Sequence, residues 1–181
     1  MYAGNLQHAA HVLKQGGIVA YATEYCFGLG CDPRNRNAVL RLLRLKQRPM
    51  KKGLIVLAAD REQLVSYIKD IPASVSTSWP GPHTWLLIPL PGIPHSITGR
   101  HAKIAVRITA HAQARALCQT AGMAMGSTSA NRGGESPART DREVARRFGK
   151  GVDYILPGRV GTAHAPTPIR DAATGKLVRA G

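Results

Sequence analysis

The chain has 181 residues, 44% of them apolar, which is enough to build the core of one α/β domain. It carries 25 lysines and arginines against 10 acidic residues, a formal charge of +15 that favours anionic partners such as nucleotides, RNA or acidic lipids. No apolar run approaches the roughly 20 residues of a membrane-spanning helix, and the first residues lack the pattern of a secretion signal. We therefore expect a cytoplasmic protein with no membrane contact.

The first half of the chain alternates amphipathic segments with short apolar ones, the pattern of a layered α/β domain. Gly16 and Gly17 are placed to end a first helix, and Asp60 with Gln63 forms a capping-box pattern for a later one. The predicted elements are, in chain order, a helix over 5–15, a strand over 17–23, a helix over about 37–45, a strand over 53–58 and a helix over about 60–69.

The second half continues the alternation. Thr140 with Glu143 forms another capping box, and Thr174 with Gly175 is typical of a hairpin turn. The predicted elements are a strand after the proline-rich turn at 79–83, a strand over 103–109, a helix over 111–121, a strand over 122–131, a helix ending near 149, a strand over 152–156 and a hairpin over 169–181. We find no internal repeat or dividing linker and predict one domain over 1–181.

A basic connection follows the second helix. Lys46, Arg48, Lys51 and Lys52 lie within it without an acidic residue, and Pro49 disfavours helix at the residue before it. If the backbone is extended from Lys46, then Lys46 and Arg48 project to the same side and clamp an anion that has several oxygens. Most charge runs are instead solvated turns, and this alternative stays open here.

Neutral polar side chains follow the apolar strand that ends in the letters STSAN. Ser129 and Asn131 are two residues apart and would supply neutral donors at the carboxyl edge of a sheet, where open α/β folds bind ligands. A turn capped by Asn131 is the structural alternative. Taken together with the basic connection, the pair suggests cations opposite neutral donors around a phosphate.

Arg107 lies in the middle of the apolar strand KIAVRIT. A cation there must face water or meet an anion, so an ion pair or an outward position is as well supported as contact with a substrate carboxylate. The sequence has neither a Walker-type phosphate loop nor a complete dinucleotide fingerprint. Cys26, Cys31 and Cys118 show no metal-ligand spacing, so we interpret them as core residues and predict no protein-built metal site.

These segments together resemble a known family. YATEYCFGLGCD, LKQRP followed by KGLIVLA, WPGPHTW, IAVRIT and STSAN occur in the order found in the YrdC/TsaC family, over essentially the whole chain. The resemblance is to the short bacterial form and implies one α/β domain with a twisted mixed sheet, flanking helices and an open, positively charged cavity. It further implies an L-threonylcarbamoyladenylate synthase, a nucleotidyltransferase that joins L-threonine, bicarbonate or CO2 and ATP for the t6A modification of tRNA.

The family motifs imply roles for particular residues. Lys46 and Arg48 match a K-x-R motif, implied to be catalytic and to bind ATP and the adenylate, and Ser129 and Asn131 match an S-x-N motif with the same ligands. Lys52 corresponds to a position near the nucleotide. The residues implied to bind threonine are Thr23, Arg107 and Thr167.

Three positions depart from the family pattern. Ala22 replaces a usual proline, which predicts a looser turn into Thr23. Tyr25 replaces a smaller residue and would narrow the amino-acid pocket if it points inward. Leu57 replaces a histidine of many longer members, so no ligand contact is assumed there.

The implied reaction depends on gathering anions and neutralising charge, so catalysis should come mainly from positioning and electrostatic stabilisation. Mg2+ is expected to accompany ATP, and the implied partners are ATP, L-threonine, bicarbonate, tRNA or other RNA, and a downstream threonylcarbamoyl transferase complex. Two other function classes stay open. One is an RNA-binding module, which the charge suggests. The other is a carbamoyl-transfer enzyme that uses carbamoyl phosphate.

Overall fold

The structure is a computed structural model that describes residues 3–180. The last residue of the predicted hairpin, Gly181, lies outside the described residues. Within the described chain no helix is long and apolar enough to cross a membrane.

Residues 3–180 form six α-helices, and three of them begin at a side-chain cap. The side chains of Asn35 and His111 cap the second and fifth helices, and Thr140 with Glu143 forms the predicted capping box of the sixth. The helices are α1 (Ala3–Lys14), α2 (Arg36–Leu45), α3 (Ala73–Ser76), α4 (His95–Thr98), α5 (Ala112–Ala121) and α6 (Asp141–Phe148). The predicted helices at 5–15, 37–45, 111–121 and before 149 are confirmed.

One mixed sheet of nine strands forms the centre of the molecule. Its strands are β1 (Val19–Ala22), β2 (Phe27–Cys31), β3 (Ile55–Ala58), β4 (Thr84–Leu87), β5 (Ile104–Ile108), β6 (Met125–Ser129), β7 (Tyr154–Ile155), β8 (Ile169–Asp171) and β9 (Leu177–Arg179). They lie in the order β7-β1-β2-β6-β3-β5-β4-β8-β9. Three neighbouring pairs are parallel, namely β1 with β7, β3 with β5 and β4 with β8, and the others are antiparallel. The predicted α/β domain with a mixed sheet is confirmed.

The two faces of the sheet bury separate groups of side chains. On one face Leu13 of α1 and Leu117 of α5 pack with Tyr21, Leu57 and Met125 of the strands. On the other, α2 and α6 pack against the alternate strand residues. Since neighbouring residues of a strand point to opposite faces, β1 and β3 contribute side chains to both cores.

The helices α3 and α4 and the strand β2 were not predicted, and one predicted helix is wrong. β2 was not predicted, because its FGLGC sequence has two glycines and little propensity for a strand. The predicted helix over 60–69 is a short 3-10 turn at Glu62–Leu64, although Asp60 Oδ1 does accept from the Gln63 amide as expected. Residues 67–69 instead bond the backbone of 88–90 through two hydrogen bonds, Leu90 N to Tyr67 O and Lys69 N to Ile88 O. Pairing with this distant segment replaces the helix.

Candidate active site

A cavity of about 310 Å3 lies on the sheet face that α1 and α5 cover only in part. Leu57 and Arg107 are paired across β3 and β5, while Ser127 pairs with Ile55 and Ser129 with Gly28. These strand residues all line the cavity, and the turn after β1, the loop after β6 and the C-terminal hairpin surround them. The full lining is Thr23, Tyr25, Cys26, Phe27, Gly28, Arg48, Ile55, Leu57, Arg107, Ser127, Thr128, Ser129, Asn131, Glu135, Pro137, Pro166, Thr167 and Arg179.

Six of the eight predicted site residues line this one cavity. They come from five separate parts of the chain and are Thr23, Arg48, Arg107, Ser129, Asn131 and Thr167. The charged lining residues are three arginines and one glutamate, so the predicted positive cavity is present. Their roles toward particular ligands stay predictions.

Lys46 corrects the predicted geometry of the basic connection. Lys46 caps α2 in helical conformation, and Gln47 is left-handed with φ of 50°, so the backbone is not extended between Lys46 and Arg48. Lys46 is also 4% exposed, not an open cavity cation. Its ammonium donates to Ser129 O and, at 3.5 Å, to Asn131 Oδ1. Lys46 therefore contacts Ser129 and Asn131 from the protein interior and does not itself line the cavity.

Burial lowers the pKa of Lys46 to about 8, with a further contribution from the positive charge of Arg48. Both of its hydrogen-bond acceptors are neutral oxygens, so the desolvation of the ammonium is offset only in part, by charges such as that of Glu135 that do not hydrogen-bond it. An anion entering the cavity would restore the protonated form.

Arg48 lies two residues after Lys46 in the same connection and lines the cavity. Its Nε donates to Gly53 O at 2.8 Å and its Nη2 to Lys52 O at 3.2 Å, so the side chain also fixes the turn that follows. Burial lowers the pKa of Arg48, and the nearby charge of Arg179 lowers it further. Lys52 contributes its carbonyl to this arrangement; its side chain is exposed and is not part of the cavity lining.

The donors of the neutral pair already bond protein oxygens, so the structure has the turn held by Asn131 and not free donors facing the cavity. Ser129 Oγ donates to Asn131 Oδ1 at 2.6 Å, and Asn131 Nδ2 donates to Glu135 O at 2.9 Å, which anchors the loop after β6. Beside them Ser127 shares a 2.5 Å hydrogen bond with the hydroxyl of buried Tyr21. The bottom of the cavity is thus a set of side chains with fixed orientations.

The two predicted threonines have partners that orient their hydroxyls. Thr23 Oγ1 donates to Cys26 O at 2.7 Å, so it can offer a ligand only an acceptor. Thr167 Oγ1 lies 3.2 Å from the Thr84 hydroxyl on β4. Local sequence around Thr167 is proline-rich, and its place in the cavity depends on this distant contact.

Arg179 is a cavity residue that sequence reasoning missed. It lies on exposed β9, opposite Ile169 of β8, and its Nη2 donates to Thr167 O at 2.8 Å. Burial lowers the pKa of its guanidinium, as does the charge of Arg107. An arginine near the end of a hairpin carries no local signal for a binding role, because only the pairing of β8 with β4 brings the hairpin to the cavity.

The departures from the family pattern have structural counterparts. The Ala22 N–H donates to Gln113 Oε1 at 3.1 Å, a bond that proline could not form, and the looser turn stays a prediction. Tyr25 does line the cavity, with the Arg139 guanidinium 5.2 Å from its ring centre. Leu57 is 1% exposed and contributes an apolar surface.

Metal ligands are sparse in the described part of the chain. Residues 3–180 contain no group of three histidine, cysteine or acidic side chains that could hold a metal ion. All three cysteines are buried and free, as predicted for core residues.

A second hollow of about 820 Å3 is lined by Lys51, His95 and Arg100 among others. None of the eight predicted site residues lines it.

Comparison with known proteins identifies the class. The Sua5_yciO_yrdC family model, described as telomere recombination, matches residues 11–181. This chain belongs to the Sua5/YciO/YrdC family, which confirms the resemblance inferred from the motifs.

Particular relatives are similar over nearly their full length. A threonylcarbamoyl-AMP synthase of Halorhodospira halophila is 49% identical over 178 residues, which are 96% of this chain and 93% of that protein. A protein of the same name from Methylobacillus flagellatus is 50% identical over 173 residues, 93% of this chain and 96% of that protein.

Among solved structures, P. abyssi Sua5 complexed with L-threonine superposes with a TM-score of 0.89 at 30% identity. The match covers 96% of this chain and 53% of the Sua5 chain, so this chain spans about half the length of that protein.

Proposed function

We propose that this protein is an L-threonylcarbamoyladenylate synthase, which condenses L-threonine, bicarbonate or CO2 and ATP to threonylcarbamoyl-AMP and pyrophosphate. The observation that carries the proposal is the convergence of six predicted residues from separate segments on one positively charged cavity. The near full-length similarity to proteins named threonylcarbamoyl-AMP synthase supports the same conclusion.

The nucleotide half of the proposed site is the end formed by the basic connection and the loop after β6. Arg48 and Lys46 would neutralise phosphate oxygens. Ser129 and Asn131 would accept from ribose hydroxyls, or would donate to the phosphates after giving up their bonds to each other and to the loop carbonyls. Lys52, exposed beside them, would meet the triphosphate at the entrance. A guanidinium suits this task because its planar donors hold two phosphate oxygens at once.

The amino-acid half would use Arg107, Thr23 and Thr167. Arg107 would bind the threonine carboxylate, and the two threonine hydroxyls would orient the substrate hydroxyl or amine. Similarity to a Sua5 structure complexed with L-threonine supports this assignment of the substrate.

The proposed chemistry proceeds in two steps. The threonine amine adds to the carbon of CO2, or of bicarbonate with loss of water, and gives a carbamate. A carbamate oxygen then attacks the α-phosphorus of ATP, and the bond to the β-phosphate oxygen breaks to release pyrophosphate. The residues act by positioning and by neutralising charge as it develops, as in other phosphoryl-type transfers.

Mg2+ enters this proposal with the substrate. Glu135 is the one carboxylate in the cavity lining, which is too few ligands for a protein-built site, so the ion would be carried by the triphosphate.

The proposal also includes partners that would act after or beside the reaction, namely a transferase complex and RNA. The product would pass to a downstream threonylcarbamoyl transferase complex for t6A formation on tRNA, in the cytoplasm. The formal charge of +15 supports contact with tRNA or other RNA.

Incubation of the pure protein with ATP, labelled L-threonine and bicarbonate tests the proposal. We expect pyrophosphate together with a labelled adenylate that forms only when threonine is present. Salt-sensitive RNA binding without any adenylate would favour an RNA-binding module. Turnover with carbamoyl phosphate in place of bicarbonate would favour a carbamoyl-transfer enzyme.

A further inference from the structure

Glu24 is an acidic residue placed behind the cavity wall. It follows β1 in the turn between the cavity residues Thr23 and Tyr25, and its side chain is 13% exposed. Its Oε2 lies 3.1 Å from Arg107 Nη2, and its Oε1 accepts a 2.7 Å hydrogen bond from Thr109 Oγ1. Arg107 and Thr109 are two residues apart at the end of β5, so one carboxylate spans both.

Arg107 needs such a partner because of its surroundings. Its side chain is 9% exposed, and its Nε is buried without a hydrogen-bond partner among residues 3–180. Arg48 and Arg179 share the cavity with it, and like charges close together repel each other. Without an anion beside it, Arg107 would be both desolvated and repelled, and its long side chain has many other rotamers.

The backbone of Glu24 is also fixed from its other side. Glu24 O accepts from Ala163 N at 3.2 Å, and Thr23 O accepts from Gly161 N at 2.9 Å. A Cβ built on Gly161 would lie 2.8 Å from Glu24 O, so the two backbones are in direct contact. The segment that continues to Thr167 therefore holds Glu24 in place, and the turn cannot move to compensate for a changed side chain.

We propose that Glu24 is a positioning residue, whose carboxylate holds the Arg107 guanidinium in the orientation that binds the carboxylate of the amino-acid substrate. The inference rests on the proposed function for the identity of that substrate. It assigns Glu24 no proton transfer. Oε1 accepts from Thr109 Oγ1, and Oε2 is ion-paired with Arg107, although Oε2 has no hydrogen-bond partner among residues 3–180. Burial alone would raise the pKa of Glu24, but the Arg107 charge and the Thr109 hydrogen bond bring that pKa below its ordinary value, which is unfavourable for a general base.

The test compares steady-state kinetics of the wild type and Glu24→Gln, which keeps the size and the Thr109 hydrogen bond but removes the charge. We expect KM for L-threonine to rise at least about tenfold, with kcat and KM for ATP changed less than about threefold. The matched control is Glu62→Gln at an exposed position, which should leave all three constants unchanged. A large fall in kcat with unchanged KM for threonine would overturn the proposal and indicate proton transfer.

A double-mutant cycle tests whether Glu24 acts through Arg107. In an Arg107→Gln background, Glu24→Gln should have almost no further effect on KM for threonine. Additive effects would contradict the proposal. L-threoninamide, which lacks the carboxylate, supplies a second readout: the preference of the wild type for threonine over the amide should largely disappear in Glu24→Gln.

Thr109→Val keeps the test decisive if Glu24→Gln does not fold. It removes one of the two anchors of Glu24, is nearly isosteric, and lies outside the cavity lining. KM for threonine should rise in the same direction by a smaller factor, and an unchanged value would refute the positioning role. Absence of threonine-dependent pyrophosphate release by the wild type would instead refute the proposed function.

Discussion

Lys46 is a cation whose hydrogen bonds go to neutral oxygens in a nearly solvent-free position. Burial is the largest cause that lowers its pKa to about 8, so a substantial fraction is uncharged in mildly alkaline solution. A nucleotide phosphate placed beside it favours the charged form. Protonation of Lys46 and binding of the nucleotide are therefore linked.

The first prediction concerns this linkage. The value of kcat/KM for ATP should fall as the pH rises through about 8, because that ratio reports the ionisation of the free enzyme. Lys46→Arg should move the fall to higher pH, since a guanidinium keeps its charge. The control Lys14→Arg, exposed on α1, should leave the profile in place, and a wild-type profile that stays flat to about pH 10 would contradict the assignment.

The same shift has a consequence for stability. In the unfolded chain this lysine keeps its proton up to its ordinary pKa of 10.5, so between about pH 8 and 10.5 its contribution to the free energy of unfolding rises with pH. Buried Cys31 and Cys118, whose pKa values burial raises to about 12, contribute in the opposite direction. The lysine contribution is isolated by the difference between the free energies of unfolding of the wild type and Lys46→Met, measured in urea. As the pH rises from about 8 to 10.5, the wild type should gain stability relative to the variant. A pH-independent difference would show that Lys46 has an ordinary pKa.

Arg48 combines a contact to the ligand with a contact to its own turn. Arg48→Lys should lower kcat/KM about 10- to 100-fold, because the donors of an ammonium all lie on one nitrogen and cannot reach Gly53 O while binding two phosphate oxygens in the planar geometry of a guanidinium. Arg48→Ala should abolish detectable turnover with the fold retained. Arg36→Ala, exposed at the start of α2, is the control for loss of one positive charge, and equal losses in both alanine variants would contradict a specific role.

At the scale of elements, the basic connection keeps its shape because it is packed against the turn after α4. Gly53 and Gly99 both have positive φ, and a Cβ on Gly53 would lie 2.4 Å from Ile97 O. Leu54 N donates to Ile97 O at 2.9 Å and Arg100 N to Lys51 O at 3.1 Å. The orientation of Arg48 therefore depends on two glycines that allow the two turns to touch.

Substitution of Gly53 tests this packing. Gly53→Ala should destabilise the protein by about 3 kcal/mol or more, because it combines a left-handed backbone with a backbone collision, and it should lower kcat/KM through Arg48. Gly92→Ala is the matched control, since Gly92 also has positive φ but no atom within 4 Å of the added Cβ. We expect about 1 kcal/mol there, measured by urea unfolding. Equal losses of unfolding free energy in Gly53→Ala and Gly92→Ala would contradict this account, because the contact between the Cβ added at Gly53 and Ile97 O would then cost nothing.

Local signals in the sequence predict some elements well and others poorly. Caps and amphipathic spacing depend on neighbours within a few residues, which is why α2 and α6 could be predicted with their N-terminal boundaries close to those observed. β2 has no such signal, because its place between β1 and β6 is decided by pairing across the sheet. The helix predicted over 60–69 was wrong for the same reason, because the backbone of 67–69 pairs with that of 88–90.

In the candidate site, too, local motifs predict some residues, and contacts remote in sequence place others. Motifs at Arg48, Ser129 and Asn131 were sufficient to predict a shared cavity, since each lies beside a predicted strand end. The extended backbone predicted from Lys46 was wrong, because Lys46 is the helical C-cap of α2 and Gln47 is left-handed. Arg179 and Glu24 could not be assigned, because their positions depend on contacts remote in sequence: the pairing of β8 with β4 for Arg179, and the contact with β5 for Glu24.

At the scale of the whole molecule, the sheet explains why one cavity collects residues from both ends of the chain. The turn after β1 supplies Thr23, and the hairpin of β8 and β9, added through β4, supplies Arg179. Helices α1 and α5 cover the rest of this sheet face with apolar side chains. The positive charge of the molecule is thus accompanied by a cavity whose lining combines arginines, hydroxyl side chains and the amide of Asn131.

A crystal structure with L-threonine and a non-hydrolysable ATP analogue tests this convergence most directly. We predict the phosphates between Arg48 and the Ser129–Asn131 pair, and the threonine carboxylate at the Arg107 guanidinium. A nucleotide bound in the larger hollow beside Lys51 and Arg100, with the cavity on the sheet empty, would contradict the account.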